Sequence, residues 1–258
     1  MTDALLQYET SDGVATLRLN RPDALNALNR ALVQALIGAV EAARRDEAVR
    51  CLVVTGAGRA FSAGGDLKEM PTMTTAEFRE YILLLQRLSA EMRGLSKPSI
   101  AAVNGYALAG GFELAVICDI RIAADSAIFG LPDTALGVSP TSGMTYLLPR
   151  IVGLGWAKHL TFTGESIDAY QAERIGLVTR VVPADQLQPT AQDMAQAIAA
   201  FPAVGLRYVK RGFDVAADVD LATALTYETD SEVTCFADET VRANMRAFAS
   251  RKVGARQE

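Results

Sequence analysis

The chain has 258 residues, 50% of them hydrophobic, and a net charge of −5. That length supports one large core, or a core with a small appendage. The acidic balance gives no general attraction to nucleic acid or to an anionic membrane surface, although a local basic cluster could still hold a phosphorylated ligand.

In chain order, Gly13 to Leu19 alternates apolar and polar residues as a half-buried strand does. Arg21 to Asn26 reads as a loop. Asn29 is placed to cap a helix reaching Arg45, with Leu32, Leu36, Ala39 and Val40 on one face. Cys51 to Thr55 is a short buried strand ended by Gly56, and Gly58 to Asp66 reads as a glycine-rich loop. Thr74-Thr75-Ala76-Glu77 fits a capping box opening a helix that stops at Gly94. Strands are expected at Ser99–Val103, Asp119–Ala123, Ala127–Phe129 and Leu177–Val182. A second capping box is expected at Asp168–Gln171, with Gly176 as the stop. After Pro183 the pattern is helical: about Gln186 to Ala200, Ala203 to Phe213, Leu221 to Thr234 and Asp238 to Ser250. The expected division is an α/β core over 1–200 and a helical region over 201–258, without a repeat of fixed period.

Cys51, Cys118 and Cys235 are odd in number, widely spaced and without CxxC or Cys/His grouping, so neither zinc nor a disulfide framework is indicated. The start, Met1-Thr2-Asp3-Ala4, carries neither a secretory nor a transit pattern. Ser99 to Ile117 is the most membrane-like stretch. Its Asn104, Glu113 and glycines make it a buried strand–turn–helix rather than a span. A cytoplasmic protein with reduced thiols is expected.

Gly56-Ala57-Gly58 follows a buried strand, but Phe61 stands where a dinucleotide fingerprint needs its third glycine. A Walker loop fails for want of a Lys-Ser or Lys-Thr pair. The single histidine, His159, lies in a helical stretch, and there is no G-x-S-x-G elbow for Ser-His-Asp chemistry. Glu113 stands out more. It sits in the apolar run Ala107 to Cys118, two residues after Gly110-Gly111. An unpaired buried carboxylate is costly, so such a group is paired, neutralised or used. Two glycines opening a helix leave bare backbone N–H groups at its positive end. A carboxylate beside such donors suits reactions at a carbonyl compound. The loop Arg59 to Met70 holds a further glycine pair, Gly64-Gly65. Alone it is a turn followed by a helix capped by Asp66. Beside Gly110-Gly111 it supplies a second donor that could converge on the same carbonyl oxygen.

Together these residues resemble the crotonase superfamily, the enoyl-CoA hydratase/isomerase group. The resemblance is carried by Arg21 to Leu28, Phe61 to Met70, Lys97 to Leu114, Cys118-Asp119 and Phe129 to Asp133, in that order and spacing. It implies an α/β fold, a crotonase-like spiral of ββα units, with a helical C-terminal region used in trimer formation, as a homotrimer or a homohexamer. It implies an acyl-CoA thioester substrate, with coenzyme A part of the substrate and no metal or other cofactor. It places an oxyanion hole at Gly65 and Gly110, and CoA contacts at Ala24, Leu25, Arg59, Ala63, Asp66, Phe236 and Lys252. Asp23 stands where relatives often carry Lys, and Arg59 is the substitute cation. Glu113 matches one catalytic glutamate of the hydratases. The other position holds Asp133, which keeps the carboxylate but shortens its reach. Thr141-Ser142-Gly143-Met144 replaces a more glycine-rich stretch and is expected to line the acyl pocket. The implied activity is hydration of a 2-enoyl-CoA. The alternatives are a double-bond isomerase, which needs no activated water, and a non-catalytic acyl-CoA binder.

Overall fold

A computed structural model describes residues 4–254, with side chains described to residue 250. Two sheets organise the chain. The larger runs in the order β1 (Leu6–Ser11), β2 (Val14–Leu19), β3 (Cys51–Gly56), β5 (Ser99–Val103), β7 (Ile120–Ala124), β10 (Arg180–Val182). The smaller runs β4 (Ala60–Ser62), β6 (Tyr106–Leu108), β8 (Ile128–Gly130), β9 (Ile167–Asp168). All neighbours are parallel except the two outer pairs, β1 with β2 and β8 with β9. Three strands of the larger sheet are each followed by a short strand of the second sheet and then a helix. The units are β3-β4 with α2 (Thr75–Arg93), β5-β6 with α3 (Gly110–Ile117), and β7-β8 with α4 (Met144–Thr163). These are the expected ββα turns of a spiral, repeated in structure without repetition in sequence.

Parallel strands covered on both faces read as continuous apolar runs, and β3 and β5 are buried at every position. Successive side chains take opposite faces. Leu52, Val54, Ala101 and Val103 join the main core under α1 (Arg30–Arg45), α2 and α3. Cys51, Val53, Ile100 and Ala102 face α6 (Leu187–Ala199) through Leu187, Ala191 and Ala195. Asn29 caps α1 by accepting from Leu32 N–H at 3.0 Å. The Thr74–Glu77 box forms in both directions and α2 ends at Gly94. Caps of this kind contribute about 1 kcal/mol each.

Several expectations need correction. Gly58 to Asp66 is not all loop, because β4 lies within it. The strand after Gly176 is only Arg180–Val182, since the Leu177 and Val178 amides turn back to the Ala172 carbonyl. The second capping box is half formed. Asp168 accepts from the Gln171 amide in front of α5 (Ala169–Arg174), while the Gln171 side chain bonds Arg174 instead. In α4 the backbone leaves helical values at Gly153, so two helical segments meet at a kink.

The tail is helical as expected: α7 (Ala203–Ala216), α8 (Leu221–Ala237) and α9 (Glu239–Gly254), packed in sequence. Lys210 of α7 reaches the core, donating to Asp119 Oδ2 at 2.8 Å and to the Lys97 carbonyl at 3.1 Å. Asp119 also accepts from the amide and hydroxyl of Ser99 at the start of β5. Among the described residues no helix is long and apolar enough to cross a membrane.

Candidate active site

Close backbone approach builds this site, and glycine permits it. A Cβ on Gly111 would lie 2.0 Å from the Ser62 carbonyl oxygen, so only glycine lets α3 lie against β4. Gly64, at φ +90°, packs against the next turn: a Cβ there would sit 2.8 Å from Ala109 Cβ and 2.9 Å from Gly110 N. Ala109 itself holds φ 47° and ψ −123° in front of α3, a strained conformation for a residue with a Cβ. It is fixed by its amide, which donates to the Gly130 carbonyl at the end of β8 at 2.9 Å. The Gly64-Gly65 and Gly110-Gly111 turns thus touch. A Cβ on Gly110 would fall 3.7 Å from the Gly65 nitrogen. Among the described residues neither the Gly65 nor the Gly110 amide donates to a protein acceptor.

Glu113 emerges from the first turn of α3 and is 2% exposed. Its carboxylate is paired, as burial requires. The Thr141 amide donates to Oε1 at 2.6 Å, the Thr141 hydroxyl to Oε2 at 2.7 Å, and the Ser142 hydroxyl to Oε2 at 2.8 Å. Thr141 and Ser142 were expected to line a pocket, not to support Glu113. The only trace of this role in the sequence is the adjacent hydroxyl pair itself.

Asp133 lies in the 3-10 turn Pro132–Leu136 that follows β8. The Ala109–Gly130 bond ties that strand end to the start of α3, which brings Asp133 into the field of Glu113. Its Oδ2 is buried and has no hydrogen-bond partner among the described residues. Burial first, and then the charge of Glu113, push the Asp133 carboxyl up to about 6. One carboxylate is held by three donors and its neighbour has one oxygen without any.

The loop before α1 closes onto the Gly64 turn. Ala63 N–H donates to the Leu25 carbonyl at 2.9 Å and Leu28 N–H to the Gly64 carbonyl at 2.7 Å. Leu25 and Asn26 take positive φ of 50° and 55°, and the Asn26 amide group spans to the Ala57 and Ala60 carbonyls. Ala24, Leu25 and Ala63 are therefore neighbours, and exposed Arg59 follows Gly58, whose Cβ would meet Pro22 at 3.0 Å. Asp66 is buried and its Oδ2 pairs with Arg21 at 2.9 Å. Burial opposes its charge, but the hydrogen bond and charge of Arg21 bring its carboxyl below the ordinary value. Asp66 thus secures the loop with its side chain and caps no α-helix. Phe236 is on α8, exposed in the tail rather than packed into this cluster. The side chain of Lys252 lies outside the described residues.

Other groups stand apart. Burial pushes the Cys51 and Cys118 thiols up to about 12, which makes them inert packing groups. His159 sits at the surface against Glu165. A cavity of about 580 Å³ lies at the far, C-terminal end of α3, under α7; of its charged walls, Lys210 pairs with Asp119 and Arg93 with Asp214, while Arg121 donates to backbone carbonyls and Arg150 lies over the Tyr146 ring. Among the described residues no three His, Cys, Asp or Glu side chains group as metal ligands do.

Paired parallel strands in ββα turns, with a buried carboxylate at the head of the middle helix, define the class. The family model described as enoyl-CoA hydratase/isomerase matches residues 9–254, and the chain belongs to that family. It is 40% identical over 245 residues to the short-chain-enoyl-CoA hydratase of Clostridium acetobutylicum, covering 95% of this chain and 94% of that one. It is likewise 40% identical over 245 residues to the crotonyl-CoA hydratase of Syntrophomonas wolfei, with the same coverage of 95% and 94%. Among solved structures, an enoyl-CoA hydratase from Bacillus anthracis superposes with a TM-score of 0.93 at 34% identity, covering 96% of each chain.

Proposed function

We propose that the protein is an enoyl-CoA hydratase, adding water across the 2,3 double bond of a 2-enoyl-CoA thioester. The observation that carries this is the pairing of buried Glu113, held by three donors, with Asp133, whose carboxyl is raised to about 6. Hydration needs one group to take a proton from water and another to give one to carbon, and carboxylates in unlike environments divide that work. In this reading Glu113 accepts a proton from water as its oxygen bonds C3. The π electrons move onto the thioester oxygen as an enolate. The amides of Gly65 and Gly110 hold that oxygen, helped by the positive end of α3. Removing one such donor costs about 3–4 kcal/mol in transition-state binding elsewhere. The enolate collapses as Asp133 gives its proton to C2. Proton exchange between Asp133 and Glu113 then restores both.

The loop of Ala24, Leu25 and Ala63 would hold the CoA moiety by main chain, with Arg59 as a cation for its phosphates. Asp66 would contribute through its backbone, its carboxylate being bound to Arg21. Phe236 and Lys252 would reach CoA on a neighbouring subunit. A trimer or hexamer is supported by the apolar residues on the tail, Phe213 at 77% and Leu221 at 74% exposed, which a further copy would cover. Buried unpaired thiols support a reducing, cytoplasmic setting. In this reading the steps need no cofactor, coenzyme A being part of the substrate.

The test is a crotonyl-CoA assay that follows loss of enoyl-thioester absorbance and identifies the product. Formation of 3-hydroxybutyryl-CoA supports hydration. Conversion of a 3-enoyl to a 2-enoyl thioester without hydration assigns the isomerase instead. Binding without turnover across short, long and aromatic enoyl esters would leave only an acyl-CoA binder.

A further inference from the structure

We propose that Thr141 and Ser142 are positioning residues that aim Glu113, an inference that rests on the hydratase reading. The neighbours of Glu113 on α3, Phe112 and Leu114, are buried and apolar and offer a carboxylate nothing. Among the described residues, the hydrogen bonds to its carboxylate all come from a turn 28 and 29 residues downstream. Two consecutive residues supply three donors to both carboxylate oxygens, at 2.6, 2.7 and 2.8 Å.

The backbone of this turn is shaped for that purpose. Ser142 holds φ +53°, a region that L side chains rarely adopt, and Gly143 follows at φ +81°. Strain retained at a site is informative when the surroundings enforce it. Here the Ser89 hydroxyl of α2 donates to the Ser142 carbonyl at 3.0 Å, and the Met144 amide closes the turn onto the Thr141 carbonyl at 2.9 Å. A carboxylate has about four lone-pair sites. Three donors leave one direction open for a proton from water, so the turn sets both where Glu113 points and which lone pair it uses.

The experiment measures kcat, KM and Tm for Thr141→Val, Thr141→Ser, Ser142→Ala and Ser142→Gly, with Glu113→Gln in the same assay. A hydrogen bond to a charged group corresponds to about a tenfold to hundredfold effect. Thr141→Val and Ser142→Ala are each expected to lower kcat at least about tenfold, with KM within about twofold, because ester binding does not depend on them. Thr141→Ser restores the hydroxyl and is expected to bring kcat back to within about threefold of the parent. Ser142→Gly relieves the positive φ, so it folds at least as well as Ser142→Ala yet loses the same turnover. The proposal is overturned if kcat stays within about twofold in the hydroxyl-less variants. It is equally overturned if they change only KM or Tm and Thr141→Ser behaves like Thr141→Val. If Glu113→Gln collapses turnover and these variants do not, the positioning role alone falls. Near-normal turnover by Glu113→Gln removes the catalytic reading and this inference together.

Discussion

Burial, and then the charge of neighbouring Glu113, raise the Asp133 carboxyl to about 6. The two acids are not equivalent. Glu113 is enclosed and held by three donors, whereas Asp133 sits on a short turn with Oδ2 unpartnered. A site that must both take and give a proton needs that asymmetry.

The same raised carboxyl should weaken the fold at neutral pH. Folded Asp133 holds its proton up to about 6, against 3.8 for the ordinary group. The folded state therefore binds more protons between these values. Its stabilising contribution is present below about pH 4 and is lost as pH rises through about 6. Asp133→Asn should gain Tm relative to the parent at pH 8, and gain less or nothing at pH 4.5. Equal effects at both pH values would contradict the assignment.

Gly110 and Gly111 should fail in different ways. An alanine at 111 drives its Cβ into the Ser62 carbonyl at 2.0 Å, so α3 must leave β4. Overpacking of this kind costs about 1–3 kcal/mol or more. At Gly110 the closest atom is Leu28 Cδ1 at 3.4 Å, and the methyl instead stands 3.7 Å from the Gly65 nitrogen, where the thioester oxygen is proposed to bind. Thermal melts with parallel turnover assays separate them. Gly111→Ala should lose Tm, while Gly110→Ala should keep Tm within a few degrees and lose turnover.

Lys210 fastens the tail to the core. Its side chain is 9% exposed, and its ammonium is shared among Asp119, the Lys97 carbonyl and the Met92 carbonyl. Lys210→Met removes the cation and leaves Asp119 with only its Ser99 donors. The substitution deletes the ion pair and the two carbonyl contacts through which this side chain ties α7 to the core. Limited proteolysis should cut within Ala203–Ala216 faster than in the parent, before the core is cleaved. An unchanged rate and site of cleavage would show that α7 is held by its apolar contacts alone.

Much of the fold was legible because its signals are local. Asn29, and Thr74 with Glu77, mark helix starts by chemistry that acts within three residues, and the structure forms both caps. The runs Cys51–Thr55 and Ser99–Val103 are long and apolar enough to read as buried strands. The short second-sheet strands were harder. β6 and β9 have three and two residues, too few for a period, and exist because neighbours supply their ladder. β1 escaped because its residues are largely exposed, so its pattern lacks a buried face. Glu113 was conspicuous as the one charge in an apolar run. Its support by Thr141 and Ser142 was not, since nothing local links positions that only folding brings together.

The most direct measurement is the kcat for crotonyl-CoA hydration by the parent and by Glu113→Gln, each at saturating ester. Positioned proton-transfer groups contribute about 10²–10⁴-fold. Turnover should fall at least about a hundredfold with KM little changed. A variant that hydrates the ester at a near-parental rate would show that Glu113 is not the base.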